Sequence, residues 1–160
     1  MKPVLVIGVG NRLREDDGMG CRAAELLEDR LTPGSVEVAE CHQLTPELVS
    51  TMAEAQMVLF LDAAVDQAPG AIRSRRVPTR NDPQHGWRWT HQLSPRDLMD
   101  LTKAIHGRAP LAFLITGGAA RTGFLNALTP QGESCAQRMA EVAAGLVSSI
   151  EEAVAGPAGG

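Results

Sequence analysis

The stretch VLVIGVGNRLREDDGMG, residues 4–20, decides the fold. Its first four residues, Val4 to Ile7, predict a strand that is buried on both faces, as strands in the centre of a parallel sheet are. The strand runs into Gly8-Val9-Gly10-Asn11 and then into the carboxylate pair Asp16-Asp17, ahead of Gly18. Because open α/β sheets bind their ligands at the carboxyl ends of the strands, we expect a functional site in this loop.

Two nucleotide-binding motifs begin in a similar way, and neither is completed. The dinucleotide fingerprint would need a third glycine where Leu13 stands, although Glu40 has the place of the ribose-binding acid. The Walker phosphate loop needs Gly-Lys-Ser/Thr, which does not follow. Glu15 and the two aspartates after it would repel a phosphate, so the loop favours a cation. A nucleotide-binding oxidoreductase domain remains a weaker alternative.

Composition and charge argue against several classes of protein. The 160 residues, of which 44% are hydrophobic and 21% charged, are typical of one globular domain with its own core. The net charge of −4 argues against nucleic acid as a partner. We interpret the short basic cluster from Arg73 to Arg80 as the exposed edge of a sheet. The longest apolar run, residues 57–65, contains Asp62, so no membrane span is predicted.

The cysteines and the start of the chain indicate a reducing compartment. Cys21, Cys41 and Cys135 have no metal-ligand spacing, and their odd number argues against a disulfide framework. We expect three buried thiols. Met1 leads almost directly into the first strand without a signal-peptide pattern, so we expect a cytoplasmic protein.

Strand and helix signals alternate along the chain, which predicts a mostly parallel sheet with helices on its faces. The predicted fold class is α/β: a single-domain, three-layer α/β/α arrangement whose mostly parallel twisted sheet includes an edge strand. We expect the domain to span residues 1–154 and residues 155–160 to form a flexible tail. Strands are predicted at about 3–8, 36–40, 57–61, 71–77 (the edge strand) and 111–116, and helices at about 16–31, 46–55, 95–106 and 130–154.

Capping residues suggest where the helices begin. Asp16 is the expected N-cap of the first helix. Thr45, followed by Pro46, is the expected N-cap of the second. Ser94 begins the third helix, with an acid three residues later as in a capping box.

Three side chains at comparable places along the chain suggest a metal site. Asp17 follows the first strand, Asp62 ends the third strand, and His91 lies before the third helix. In a parallel sheet the three would converge at one edge. Two carboxylates and an imidazole suit a borderline divalent ion such as nickel, zinc or manganese and leave coordination positions open. Each also has a structural explanation: Asp17 favours a helix N-terminus, and a loop histidine commonly binds the backbone.

The segments GVGNRLREDDGMG, QLTPELV (residues 43–49), VLFLDAA (58–64), HQLSPRDLM (91–99) and HGRAP (106–110) together resemble the hydrogenase maturation proteases. These endopeptidases trim the C-terminal extension from the large-subunit precursor of nickel-iron hydrogenases. The resemblance implies a doubly wound α/β fold in which Asp17, Asp62 and His91 occupy the metal-ligand positions. It also implies that the metal is nickel carried by the precursor, although other divalent ions could occupy the site. The chain departs from the family pattern at Cys41-His42-Gln43 and matches it only loosely over residues 117–128.

Several neighbouring residues have expected roles in such a site. We expect Gly8, Gly10 and Gly18 to let the substrate backbone approach closely, Asn11 to hold the loop, and Asp16 to belong to the same substrate-binding loop. Trp87 and Trp89, in the aperiodic segment 78–90, either contact a precursor or cover the sheet. No serine or cysteine has a convincing base, so triad chemistry is not supported and the catalytic group is not identified. A non-catalytic nickel-binding chaperone is the main alternative function.

Overall fold

A computed structural model describes residues 2–80 and 92–156 of the chain. Within these ranges five strands form one sheet in the order β2-β1-β3-β5-β4. Four of these strands, β1, β2, β3 and β5, are parallel, as predicted. The edge strand β4 pairs with β5 in the antiparallel direction. The strands are β1 (Lys2–Val9), β2 (Glu37–Cys41), β3 (Ala55–Ala64), β4 (Ile72–Arg76) and β5 (Leu111–Gly118).

Helices cover both faces of this sheet, which gives the three-layer α/β/α arrangement expected from the sequence. The helices are α1 (Met19–Arg30), α2 (Leu48–Ala53), α3 (Pro95–His106) and α4 (Pro130–Ala155), and a 3₁₀ turn spans Glu15–Gly18. Alternate residues of β1 point to opposite layers, because side chains in a strand alternate between its two faces. Val4 and Val6 pack in the core under α1 and α4, whereas Leu5 and Ile7 pack in the core under α2 and α3.

Three of the four arginines in the basic cluster lie on β4, at the edge of the sheet, as the sequence indicates. Arg73, Arg75 and Arg76 are exposed there. The fourth, Arg80, lies beyond β4 and forms salt bridges with Asp97 and Asp100, so the predicted exposed edge does not include it. Exposed cations on an edge strand oppose pairing with another sheet.

Some element boundaries differ from the predicted ones. The second helix begins at Leu48 rather than at Pro46, because Thr45 and Pro46 form the turn before it, and Glu47 is its N-cap. β3 continues to Ala64, so Asp62 lies inside the strand rather than at its end. The third helix begins as predicted: Ser94 and Asp97 form a capping box.

In the part of the chain that the structure describes, no helix is long and apolar enough to cross a membrane. Residues 157–160 of the predicted tail lie outside the described ranges. Residues 155–156, the other part of that prediction, are the last residue of α4 and its C-cap.

Candidate functional site

The structure brings Asp17 and Asp62 together at the carboxyl edge of the sheet. β1 and β3 are parallel neighbours, with Gly8 opposite Leu61 in the register. In the sheet β1 lies between β2 and β3, so the connections after β1 and after β2 run to opposite sides of β1. The strand order therefore changes direction at the carboxyl end of β1. Open α/β sheets place their ligands at such a point. The two carboxylates lie close enough for the charge of Asp17 to raise the pKa of Asp62.

Asp17 is held by the loop that precedes it. Its Oδ2 accepts a hydrogen bond from the backbone N–H of Asn11 at 2.8 Å. Its own backbone N–H donates to the carbonyl oxygen of Arg14 at 3.0 Å. Asn11 also accepts a hydrogen bond from the N–H of Leu13 through its side chain, at 2.9 Å, so it holds the loop as expected. The second carboxylate oxygen of Asp17 has no hydrogen-bond partner among the described residues and is available to a ligand.

Asp62 is a half-buried carboxylate that follows an entirely buried apolar run in β3. Burial raises its pKa from 3.8 to about 7; a hydrogen bond from the N–H of Ala63, at 2.8 Å, opposes this shift, and the charge of Asp17 adds to it. A bound cation would favour the charged form of both acids, since it offsets the burial and their mutual repulsion. The pair therefore fits a hard or borderline divalent ion.

His91, the third predicted ligand, lies outside the described residues, as do Trp87 and Trp89. Its position relative to the two acids stays a prediction. Within residues 2–80 and 92–156, no group of three or more His, Cys, Asp or Glu side chains is arranged to hold a metal ion. An ion at this edge would take its remaining ligands from residues outside these ranges or from a bound molecule.

Asp16 has a different role from the predicted one. The N-cap position of α1 belongs to Gly18, which makes no side-chain cap. The carboxylate of Asp16 is completely buried and accepts hydrogen bonds from the N–H groups of Ala120, at 2.8 Å, and Thr129, at 2.9 Å. It also accepts one from the hydroxyl of Thr129, which in turn accepts from the N–H of Gly132 and caps α4. Full burial and these hydrogen bonds give Asp16 a structural role, and its predicted place in a substrate-binding loop stays a prediction.

The three glycines of the loop lie close against the protein's own backbone, and their predicted role in letting a substrate approach stays a prediction. A Cβ at Gly8 would crowd the first turns of α1, and one at Gly18 would lie 2.9 Å from the Cα of Arg12. Gly10 has a φ of +139°, and a Cβ there would overlap the carbonyl oxygen of Asp17. Only glycine meets both conditions at position 10.

An ion-pair cluster beside the site was not predicted. Arg12 donates to both carboxylate oxygens of Glu40, at 2.5 and 3.1 Å, and to Glu25 at 3.1 Å. It thereby joins the loop after β1 to the end of β2 and to α1. Glu40, the candidate ribose-binding acid, is occupied by this pair, which argues against the dinucleotide interpretation. Nothing in the sequence distinguishes Arg12 from the neighbouring Arg14, so only the folded chain reveals the pairing.

The thiol groups near the site have raised pKa values. Burial raises the pKa of Cys21 to about 11, and the pKa of Cys41 is raised by burial and by the charge of Asp62. A thiol with a raised pKa holds little thiolate at neutral pH. Cys21 and Cys135 are buried, as expected, and Cys41 is half-buried; all three are free. The neighbouring His42 is exposed, in line with a polar turn residue.

The fold and this edge define a class: single-domain α/β proteins that hold a carboxylate pair where the strand order reverses. The chain is 34% identical over 101 residues to the hydrogenase 2 maturation protease of Escherichia coli. It is 32% identical over 75 residues to a putative hydrogenase maturation protease of Methanocaldococcus jannaschii. The matches cover 59% and 45% of this chain and 57% and 49% of those proteins, so the chain spans about half the length of the curated relatives it matches.

Solved structures agree over nearly the whole chain. The hydrogenase maturating endopeptidase HybD from E. coli matches with a TM-score of 0.72 and 26% identity, covering 92% of this chain and 93% of that one. The [NiFe] hydrogenase maturation protease HycI from Thermococcus kodakarensis matches with a TM-score of 0.71 over the same shares; at 23% identity it supports the fold alone. No family model matches. By these comparisons the chain is similar in sequence and in fold to hydrogenase maturation proteases.

Proposed function

We propose that this protein is an endopeptidase that removes the C-terminal extension of a nickel-iron hydrogenase large-subunit precursor after nickel has been inserted. The convergence of Asp17 and Asp62 at the carboxyl edge, in a chain similar to these proteases, is the observation that carries the proposal. The nickel belongs to the precursor and is part of the substrate.

In this proposal the two acids recognise the metal of the precursor. Asp17 offers a carboxylate oxygen without a partner among the described residues, and Asp62 offers a carboxylate that burial keeps partly protonated near neutral pH. Nickel would displace that proton and draw both groups into its coordination shell, together with His91, which the family resemblance assigns as the third ligand. A precursor without nickel would lack the charge that holds the two acids together. Nickel insertion would thus be checked before the chain is cut.

The test compares nickel-loaded with nickel-free precursor, each incubated with the wild-type protein and with His91→Ala. We expect the wild type to shorten the loaded precursor by the mass of its extension, and His91→Ala to leave it whole. Equal cleavage of the nickel-free precursor would refute recognition through the metal.

Two isosteric variants test the acids. Asp17→Asn and Asp62→Asn remove a charge and hardly change the shape, so both should fold and neither should process the precursor. Asp66→Asn, an exposed acid four residues beyond Asp62, is the matched control and should retain full activity. If both site variants process normally, the site is assigned to the wrong residues.

Mass spectrometry also separates the proposal from a nickel chaperone. A chaperone would share the two acids and would leave the mass of the loaded precursor unchanged after incubation with the wild-type protein. That result would replace the endopeptidase assignment with the binding function.

A further inference from the structure

Exposed apolar side chains gather on two loops that border the candidate site. Leu13, Phe124 and Leu125 are 63%, 88% and 61% exposed. Leu13 lies in the loop after β1, and the other two lie in the loop between β5 and α4. We call these three residues, together with Arg14, the two-loop patch. Large apolar side chains grouped on a surface commonly mark a site of protein interaction.

The two loops are joined to each other, so the exposure is imposed by the fold. The backbone N–H of Glu15 donates to the carbonyl of Leu125 at 2.8 Å, and that of Asp16 donates to the carbonyl of Arg121 at 3.0 Å. The guanidinium of Arg14 donates to the carbonyl of Thr122 at 3.3 Å. Together with the buried carboxylate of Asp16, these bonds fix the second loop against the 3₁₀ turn.

The patch is continuous with the site. The carbonyl oxygen of Arg14 accepts a hydrogen bond from the backbone N–H of Asp17. The N–H of Leu13 donates to the side-chain oxygen of Asn11, and the N–H of Asn11 donates to the Asp17 carboxylate. A polypeptide bound at Asp17 would therefore lie next to the apolar side chains of the two-loop patch. The exposed Ile105 and Val154 lie on α3 and α4, away from this loop pair.

Charge identifies the chemistry of the partner. The guanidinium of Arg14 lies 5.4 Å from the centre of the Phe124 ring, and among the described residues it forms no salt bridge. The side chain of Arg121 is 70% exposed beside the same loop, and within the described ranges its acidic partner is Glu15, which is nearly buried. Two cations thus flank an apolar surface. Such a surface is complementary to a segment that carries apolar side chains and a carboxylate.

We propose that the two-loop patch binds an apolar, acid-bearing segment of the precursor next to its scissile extension. This inference rests on the proposed function and names the surface that the substrate uses. Binding there would hold the precursor while its metal is placed at Asp17 and Asp62.

Processing kinetics with nickel-loaded precursor test the patch. The double variant Phe124→Ser/Leu125→Ser should raise KM at least tenfold and leave kcat within twofold, because it removes binding surface and touches no reacting group. Arg14→Gln should raise KM about threefold and weaken its dependence on salt. Ile105→Ser and Val154→Ser, which remove apolar side chains about as exposed as Leu125 elsewhere on the surface, should leave both constants unchanged.

The outcomes are distinct. If the wild type cleaves the precursor and the double variant has an unchanged KM, the patch is not the docking surface, although the proposed function stands. If the wild type does not cleave, the function itself fails. Sedimentation of the free protein gives a further outcome: a wild-type dimer, a monomeric double variant and an unchanged KM would assign the patch to self-association and overturn the inference.

Discussion

Replacing Asp16 by asparagine should destabilise the fold strongly, whereas the same replacement at Asp17 should not. Oδ1 of Asp16 accepts from the N–H of Thr129, and Oδ2 accepts from the N–H of Ala120. An asparagine has one oxygen and one NH₂ group, so either orientation directs an N–H donor at another N–H donor. No rotamer satisfies both partners.

The size of the effect follows from these contacts. A hydrogen bond to a charged group contributes about 1.5–3 kcal/mol, and leaving a buried donor unpaired costs about 1–3 kcal/mol more. We therefore expect Asp16→Asn to lower the free energy of unfolding by about 3–5 kcal/mol. With a urea m-value of about 2 kcal/mol/M, the midpoint of unfolding should fall by about 2 M.

Asp17→Asn is the matched control, since one oxygen of Asp17 bonds to Asn11 and the other has no partner among the described residues. An asparagine there keeps the bond through its oxygen and turns its NH₂ group outward. Its unfolding midpoint should change by less than about 0.5 M, equivalent to about 1 kcal/mol. Urea titrations followed by circular dichroism measure both variants. Equal midpoints for Asp16→Asn and Asp17→Asn would refute the structural role given to Asp16.

Three further predictions concern stability. Because burial raises the pKa of Asp62 from 3.8 to about 7, wild-type stability should fall as pH rises through that interval. At pH 8 the free energy of unfolding of Asp62→Asn should exceed that of the wild type by up to about 4 kcal/mol, which gives a higher Tm, and near pH 4 the two should not differ. A Tm for Asp62→Asn below that of the wild type at pH 8 would contradict this sign. Gly10→Ala should lower the free energy of unfolding by at least about 2 kcal/mol, because alanine is strained at a φ of +139° and its Cβ would overlap the carbonyl oxygen of Asp17. Calorimetry would measure the change, and an unchanged stability would contradict the close approach of Gly10 to Asp17. Ser94→Ala removes the capping box, which should cost about 1 kcal/mol of stability and lower Tm by about 2–4 °C. The control variant Ser50→Ala, at an exposed position within α2, should not lower Tm.

The sheet and its helices follow closely from the sequence, because the signals involved are local. Apolar runs at β1 and β3 predict doubly buried strands, and the two cores confirm them. Ser94 and Asp97 are three residues apart, so their capping box can be predicted from spacing alone. α2 begins two residues later than the sequence predicts, because Pro46 fits a first helical turn and an ordinary turn equally well.

The site was predictable only in part, because its contacts join distant parts of the chain. Asp62 stands out in the sequence, since a charged residue after a buried apolar run needs a reason. Asp16 and Asp17 are adjacent acids with the same local surroundings, and only partners more than a hundred residues away separate them: Ala120 and Thr129 lie 104 and 113 positions beyond Asp16. The assignment of His91 remains a prediction from the family resemblance.

The hydrogen bonds of Asp16 to residues far along the chain have a consequence for the order in which this protein folds during its synthesis. The turn that carries Asp17 is fixed by residues that the ribosome adds more than a hundred positions later. Until Thr129 has been made, the carboxylate of Asp16 stays in water and the turn lacks its anchor, although β1 and β3 can already pair. Closing so long a loop carries an entropic cost that the docking of α4 must offset. The edge that carries Asp17 and Asp62 is therefore among the last parts of the molecule to form, and an unfinished chain has a sheet whose carboxyl edge is still incomplete.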